Sequence, residues 1–182
     1  MSSTPRFRQG AGRLCLDFIR TLRHRGSPDV VEELPDAGAL SAWVRQCGPC
    51  AAGGGADVAR ARDLREAVYA LITAARAGRL PDARSIALVN QAAAHPVPVP
   101  RLTSAGRLDW RAGDPVRATL ALVARDALDL VTSPSLTSVR DCAGPTCGAL
   151  FLDISRPGNR RWCSMGTCGN RAKKETLRGR TA

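Results

Sequence analysis

Apolar residues recur at helical spacing along most of the first 135 positions of this 182-residue chain. The first such segment carries Leu14, Cys15, Phe18, Ile19 and Leu22, and the next carries Ala39, Leu40, Trp43, Val44 and Cys47 at the same offsets. Because residues three and four positions apart lie on one face of an α-helix, each set predicts an amphipathic helix with one buried side.

Two longer helices have recognisable first residues. Asp57 precedes the most strongly periodic segment, which stops at Gly78, and the pair Asp114-Pro115 opens another long periodic segment. An aspartate at the N-cap accepts hydrogen bonds from the free N–H groups of the first turn, and proline suits the next position. A shorter helix is predicted after Pro81-Asp82, and its apolar face consists of Ile86, Val89 and Ala93.

The pattern changes at residues 95–110, where closely spaced prolines exclude a helix. Two short extended pieces flank Ala105-Gly106, which predicts a small β-hairpin at that position. For residues 1–136 the sequence therefore predicts a helical domain with one hairpin, within a chain that is mainly α (α+β).

Positive charge is concentrated near the end of the sequence. Residues 139–182 contain nine lysines and arginines against three acidic residues, a formal +6 out of the +11 of the whole chain. Summed positive charge of this size favours a polyanionic partner such as nucleic acid. So short a segment cannot bury a sufficient core without a staple, and a structural metal is one such staple. We therefore predict a second, small unit at 137–182.

Four cysteines supply the ligands for that metal. The pattern C-x4-C-x15-C-x4-C is formed by Cys142, Cys147, Cys163 and Cys168. A Gly-Pro turn brings the first two sulfurs together, the segments 149–153 and 160–164 are predicted to pair as a hairpin, and a last helix is predicted to begin near the fourth cysteine. Four thiolates complete the tetrahedral shell of zinc and leave no position for a catalytic water. The prediction is a treble-clef-like zinc finger (knuckle, β-hairpin, helix) with one structural Zn2+ per chain.

The remaining pair of cysteines suggests a different chemistry. Cys47-Gly48-Pro49-Cys50 resembles the redox motif of thioredoxin-like proteins, in which a strand leads into the pair and a helix follows it. Here a predicted helix leads into Cys47, so we interpret this cysteine as a core-facing helical residue. Neither His24 nor His95 has a nucleophile or carboxylate motif beside it, and no phosphate-binding loop is found. We expect the chain not to be an enzyme.

No segment of the sequence resembles a signal peptide or a membrane span. Charged residues interrupt the apolar positions near the N-terminus, and no stretch approaches roughly 18 consecutive apolar residues. The chain is therefore expected to be cytoplasmic, with no membrane partner. In a reducing compartment, seven cysteines favour metal binding over a disulfide framework.

Two stretches of the sequence resemble known families. Residues 140–178, RDCAGPTCGALFLDISRPGNRRWCSMGTCGNRAKKETLR, resemble the CGNR zinc finger at all four cysteines, at RRWCSM and at the eponymous CGNR of positions 168–171. Residues 14–22, LCLDFIRTL, are similar to the opening of the ABATE domain, although Arg20 stands where that pattern usually has asparagine. The resemblance implies zinc ligation by the four cysteines and a bacterial DNA-binding transcription regulator that responds to stress.

The helix after the fourth cysteine has a basic face. Arg171, Lys174 and Arg178 are spaced i, i+3 and i+7, so a helix places them on one side. Asn170 and Arg171 near its start suit adenine and guanine edges. The candidate nucleic-acid-binding residues are Arg160, Arg161, Asn170, Arg171, Lys173, Lys174, Arg178 and Arg180. The alternative is that these cations are solvated, complement the helix dipole or donate to the zinc-bound thiolates.

Two function hypotheses follow from the sequence. The preferred one is a zinc-dependent, DNA-binding transcription regulator whose N-terminal domain forms a homodimer or senses a small-molecule effector. The alternative is a zinc-stapled module that binds protein or RNA without sequence-specific DNA binding. Binding to duplex DNA, single strands and RNA discriminates between them.

Overall fold

Helices dominate the part of the chain that the computed structural model describes, which is residues 7–51, 55 and 57–180. The helices are α1 (Leu14–Ile19), α2 (Ala37–Cys47), α3 (Val58–Arg76), α4 (Ala83–Ala93), α5 (Pro115–Thr132) and α6 (Asn170–Arg180). Three antiparallel pairs of strands join β1 (Leu22–Arg23) to β2 (Val31–Glu32), β3 (Val99–Leu102) to β4 (Leu108–Arg111), and β5 (Val139–Asp141) to β6 (Leu150–Leu152). The predicted α+β class is confirmed, and so is the hairpin around Ala105-Gly106.

Aspartates fix the first residues of four helices. Each accepts a hydrogen bond from a first-turn N–H through its carboxylate, and the four are Asp36, Asp57, Asp82 and Asp114. The structure thus confirms the two predicted caps, Asp57 and Asp114. Gly78, with φ at +65°, follows the end of α3 as predicted, because a left-handed backbone suits glycine.

The core lies where the helices meet. α3, α4 and α5 pack against one another, and α1 packs across α5 and α3. Phe18 of α1 and Trp43 of α2 are fully buried, with ring centroids 4.9 Å apart. The predicted apolar face of α4 is wrong in one residue: Val89 is buried, but Ile86 is 39% exposed because α4 presents Ser85 and Val89 to the core instead.

The first helix is shorter than its apolar pattern predicts. α1 ends at Ile19, and Leu22 belongs to β1. Thr21 closes the helix, since both its N–H (3.1 Å) and its hydroxyl (2.7 Å) donate to the carbonyl of Phe18.

An ion pair with α3 holds the unpredicted β1–β2 hairpin. Arg65, whose side chain is only 3% exposed, donates to both carboxylate oxygens of Glu32 at 2.7 Å. Burial raises the pKa of Glu32, but the hydrogen bonds from Arg65 and from the Leu34 N–H, together with the positive charges of Arg65 and Arg62, lower this pKa overall. The turn between β1 and β2 carries His24 and Arg25, which face the zinc-finger segment.

The hairpin of the finger uses a different partner strand from the one predicted. We expected 149–153 to pair with 160–164, but β6 pairs with β5, with Val139 opposite Leu152. The N–H of Leu152 donates to the carbonyl of Ala11 at 2.7 Å, so at this position β6 is hydrogen-bonded to the N-terminal segment. Arg161 instead accepts, through its carbonyl, a hydrogen bond from the N–H of Ala143 (2.8 Å).

The finger and the helical part share one core. Leu150 and Phe151 of β6 are fully buried in the same cluster as Phe18 and Trp43, and β6 contacts α1. Among the described residues, no helix combines the length and apolar character needed to cross a membrane.

Candidate metal centre

The four predicted cysteines converge on one point. The sulfur of Cys147 lies 3.5 Å from that of Cys168 and 3.7 Å from that of Cys163, which is itself 3.8 Å from the Cys168 sulfur. All four sulfurs, including that of Cys142, lie within 4.8 Å of one another. A zinc ion with Zn–S bonds near 2.3 Å places tetrahedral sulfurs roughly 3.8 Å apart, whereas a disulfide requires about 2.05 Å. The spacing therefore fits a metal centre and excludes disulfides here.

A tight turn positions the first two ligands. The N–H of Cys147 donates to the carbonyl of Gly144 (3.0 Å), and the N–H of Cys142 donates to that of Ala149 (2.9 Å). A Cβ on Gly144 would lie 3.2 Å from the Cys147 Cβ and 3.5 Å from the Cys168 sulfur. Glycine at this position lets the backbone pass close beside the sulfurs.

The other two ligands join the centre to α6. Cys163 is 1% exposed, and its N–H donates to the sulfur of Cys142 at 3.4 Å. Cys168 lies in a wide helical turn (Met165–Gly169) that continues directly into α6. Because a metal ligand immediately precedes α6, metal binding fixes the position of the first turn of that helix.

The proton affinities of Cys142, Cys147 and Cys163 show why a cation belongs among the four sulfurs. Hydrogen bonding to the Cys142 sulfur raises the pKa of Cys147 to about 11 and also raises the pKa of Cys163. Hydrogen bonds from Cys147 and Cys163 lower the pKa of Cys142. Four crowded thiols do not all lose their protons unless a divalent cation compensates the charge. The donor set thus fits one structural Zn2+, bound by Cys142, Cys147, Cys163 and Cys168 as predicted.

Most of the candidate nucleic-acid-binding residues are exposed. Those on α6 are Asn170, Arg171, Lys173, Lys174 and Arg178, and Arg161 is exposed just before the third ligand. The Arg161 guanidinium lies 5.0 Å from the centroid of the Trp162 ring. The side chain of Arg180 lies outside the described residues.

Arg160 is placed differently from the other candidates. Its guanidinium donates to the carbonyls of Trp162 (2.8 Å), Cys163 and Gly10 (3.3 Å), and it lies 4.6 Å from the centroid of the Phe151 ring. These contacts point the guanidinium into the molecule, where it joins the finger to the N-terminal segment. Arg160 is therefore not part of the exposed cationic surface of the finger.

Two residues near the metal centre were missed by sequence reasoning. Arg20 lies 4.0 Å from the sulfur of Cys163, and His24 donates from Nδ1 to the carbonyl of Thr146 at 2.7 Å. Both come from the N-terminal segment, more than 120 positions away in sequence. The sequence contained one signal for Arg20, which stands where the opening of the ABATE domain usually has asparagine.

The second cysteine pair lies apart from the metal centre. The cluster of metal-ligating side chains found among the described residues includes neither Cys47 nor Cys50. Burial raises the pKa of Cys47 to about 11 and also raises the pKa of Cys50. Thiols that stay protonated at neutral pH are poor nucleophiles, which disfavours the redox interpretation.

Replacing both Cys47 and Cys50 with serine should leave the zinc content at one ion per chain. The expected loss of stability is about 0.5–3 kcal/mol, as is typical of changes at buried positions. Elemental analysis together with denaturant unfolding measures both quantities. Loss of zinc in this double variant would show that the metal centre has been assigned to the wrong thiols.

Two family models match successive parts of the chain. The ABATE family model, described as "Putative stress-induced transcription regulator", matches residues 12–134. The model of the CGNR zinc finger matches residues 138–181, which include all four ligands. No curated protein matches the chain.

Proposed function

We propose that this chain, which belongs to the ABATE family and carries a CGNR zinc finger, is a zinc-dependent transcription regulator that binds duplex DNA through α6. One observation carries the proposal. Arg171, Lys174 and Arg178 share a face of α6, and this helix begins immediately after the zinc ligand Cys168. A rigidly held cationic helix is the element that many small DNA-binding folds place in the major groove.

The residues of α6 divide between two kinds of DNA contact. Lys174 and Arg178 lie further along the helix and suit phosphates, which fix orientation but carry little sequence information. Arg171 and Asn170, in the first turn, suit base edges, because arginine pairs with guanine and asparagine with adenine. Lys173 and Arg161 are exposed as well and add positive charge to this part of the chain.

Two of the three acidic residues in 139–182 have partners away from α6, while the third, Glu175, lies exposed on α6 itself. Asp141 pairs with Arg76 of α3 at 2.6 Å, and Asp153 accepts hydrogen bonds from Ser155 (2.6 Å) and from the N–H of Arg160 (2.9 Å). The zinc tetrathiolate itself carries −2, which reduces the formal +6 of residues 139–182 to about +4. The segment remains strongly basic with its metal bound.

The helical part is proposed to receive the regulatory signal. An open pocket of about 590 Å³ lies between α3, α4 and α5, and its lining combines apolar residues (Leu64, Leu88, Val116, Leu120) with charged ones (Asp57, Arg60, Asp63, Arg117). This volume suits a small-molecule effector. Homodimer formation and a cytoplasmic location belong to the same proposal, which gives the chain no catalytic role.

A competition experiment tests the DNA-binding proposal. The zinc-loaded full chain is titrated with duplex DNA, single-stranded DNA and RNA of the same mixed sequence, at one salt concentration. The proposal expects the duplex to bind most tightly, because α6 must enter a groove. Tightest binding to RNA would favour an RNA-interaction module, equal binding of all three would indicate only a general attraction to polyanions, and no binding to any would favour a protein-interaction module.

A further inference from the structure

Arg20 is a buried cation at the junction between α1 and the zinc finger. Its side chain is 4% exposed, and it follows the last residue of α1. Nη1 lies 3.3 Å from the carboxylate of Asp17 and 3.5 Å from the carbonyl of Gln9, while Nη2 lies 4.0 Å from the sulfur of Cys163. The guanidinium thus faces one carboxylate on one side and a zinc ligand on the other.

Asp17 is an incomplete counter-ion for this arginine. Its carboxylate also accepts hydrogen bonds from the backbone N–H groups of Ala11 (2.9 Å) and Gly10 (3.2 Å), and its contact with Arg20 is single and long. Burial of a guanidinium is costly unless its charge is compensated. The tetrathiolate, with a net charge of −2 when zinc is bound, is the other anionic group that Arg20 contacts.

We propose that Arg20 is part of the zinc centre: it donates an N–H···S hydrogen bond to the Cys163 thiolate, so a residue outside the finger sets the finger's affinity for zinc. The donor reduces the negative charge on sulfur and compensates the tetrathiolate. Arg20 is a positioning residue here, since it acts on the metal through the ligand. The inference is independent of DNA binding, because it concerns only the metal centre.

Two close contacts lie where the N-terminal segment meets the finger near Arg20. Gly12 has φ at +94°, and a Cβ there would lie 2.9 Å from the Cβ of Leu152. Gly148 has φ at +59°, and a Cβ there would lie 2.8 Å from the carbonyl oxygen of Arg25. Because side chains at either position would push the two segments apart, these glycines permit the approach of α1 to the metal ligands.

The test compares two arginines of the helical part that each contact a residue of the finger, Arg20 with Cys163 and Arg76 with Asp141. Arg20→Gln removes the charge beside the sulfur, while Arg76→Gln, the control, removes the ion pair with Asp141 without touching a ligand. Zinc affinity of the full chain is measured by competition with a chelator. We expect Arg20→Gln to weaken zinc binding by about 10–100-fold, as is typical when a residue behind a metal ligand is removed, and Arg76→Gln to leave it unchanged.

Cobalt substitution separates this effect from a general loss of packing. With Co2+ in the site, loss of an N–H···S donor raises the energy of the sulfur lone pair, so the thiolate-to-cobalt absorption band should shift to longer wavelength in Arg20→Gln only. If Arg20→Gln does not fold, Arg20→Lys is measured in its place. A single ammonium replaces the two guanidinium nitrogens, Nη1 beside Asp17 and Nη2 beside Cys163, so Arg20→Lys should show the same two changes to a smaller degree. An unchanged affinity, or a weakened affinity with an unshifted band, in the folded variant would overturn the proposal.

Discussion

Replacing Cys163 or Cys168 with serine should release the zinc and unfold the finger. The alcohol of serine does not ionise near neutral pH, so three thiolates remain around a metal that needs four ligands. In small zinc-stapled units the apparent zinc-binding free energy is about 10–16 kcal/mol, and most of the folding free energy comes from the metal. This is the largest effect that we expect from any single substitution in the chain.

The helical part should survive that loss in a weakened form. α2, α3, α4 and α5 have their own caps and packing, so the helical signal in circular dichroism should persist. The buried side chains of Leu150 and Phe151 belong to the shared core, and their release should lower the unfolding temperature of what remains. The matched control is the Cys47→Ser, Cys50→Ser double variant. One zinc retained per chain in both Cys163→Ser and Cys168→Ser would disprove the ligand assignment.

Removing the three cations on one face of α6 should nearly abolish duplex binding at physiological salt. Each neutralised phosphate contributes about −0.9 to the slope of log K against log salt, so Arg171→Ala, Lys174→Ala and Arg178→Ala together should reduce that slope by about three. At about 0.15 M salt the corresponding loss of affinity is on the order of 100-fold. Affinity is measured by fluorescence anisotropy over a range of salt concentrations.

The hairpin β3–β4 offers a control of equal charge. Arg101, Arg107 and Arg111 are exposed on a different element, and changing all three to alanine removes the same +3. This second triple variant should bind duplex DNA almost as tightly as the parent. Both triple variants must keep one zinc per chain. Equal losses in the two would mean that net charge, rather than the α6 face, governs binding.

Local signals in the sequence predicted the helices and the metal ligands well. The caps Asp57 and Asp114 act within four residues of themselves, so their effect is visible in the sequence. The ligand spacing is similarly informative, because four thiols with this spacing need a common metal. The three cations on α6 follow from helical periodicity, and their exposure agrees with it.

Contacts between distant segments account for what the sequence did not predict. β6 pairs with β5, and the carbonyl of Ala11 occupies the N–H of Leu152 where we expected residues 160–164; nothing in the sequence near either residue indicates this contact. The sequence predicts Arg160 to be a nucleic-acid-binding residue, but its guanidinium donates to carbonyls that only the fold brings together. The proximity of Arg20 to Cys163 depends on how α1 packs against the finger.

The salt dependence of duplex binding by the zinc-loaded parent tests the central claim most directly. If α6 and its neighbours neutralise about three to five phosphates, log K should fall linearly with log salt at a slope of roughly −3 to −4.5. A slope near zero, or no binding to duplex DNA even at low salt while one zinc per chain is retained, would contradict the account.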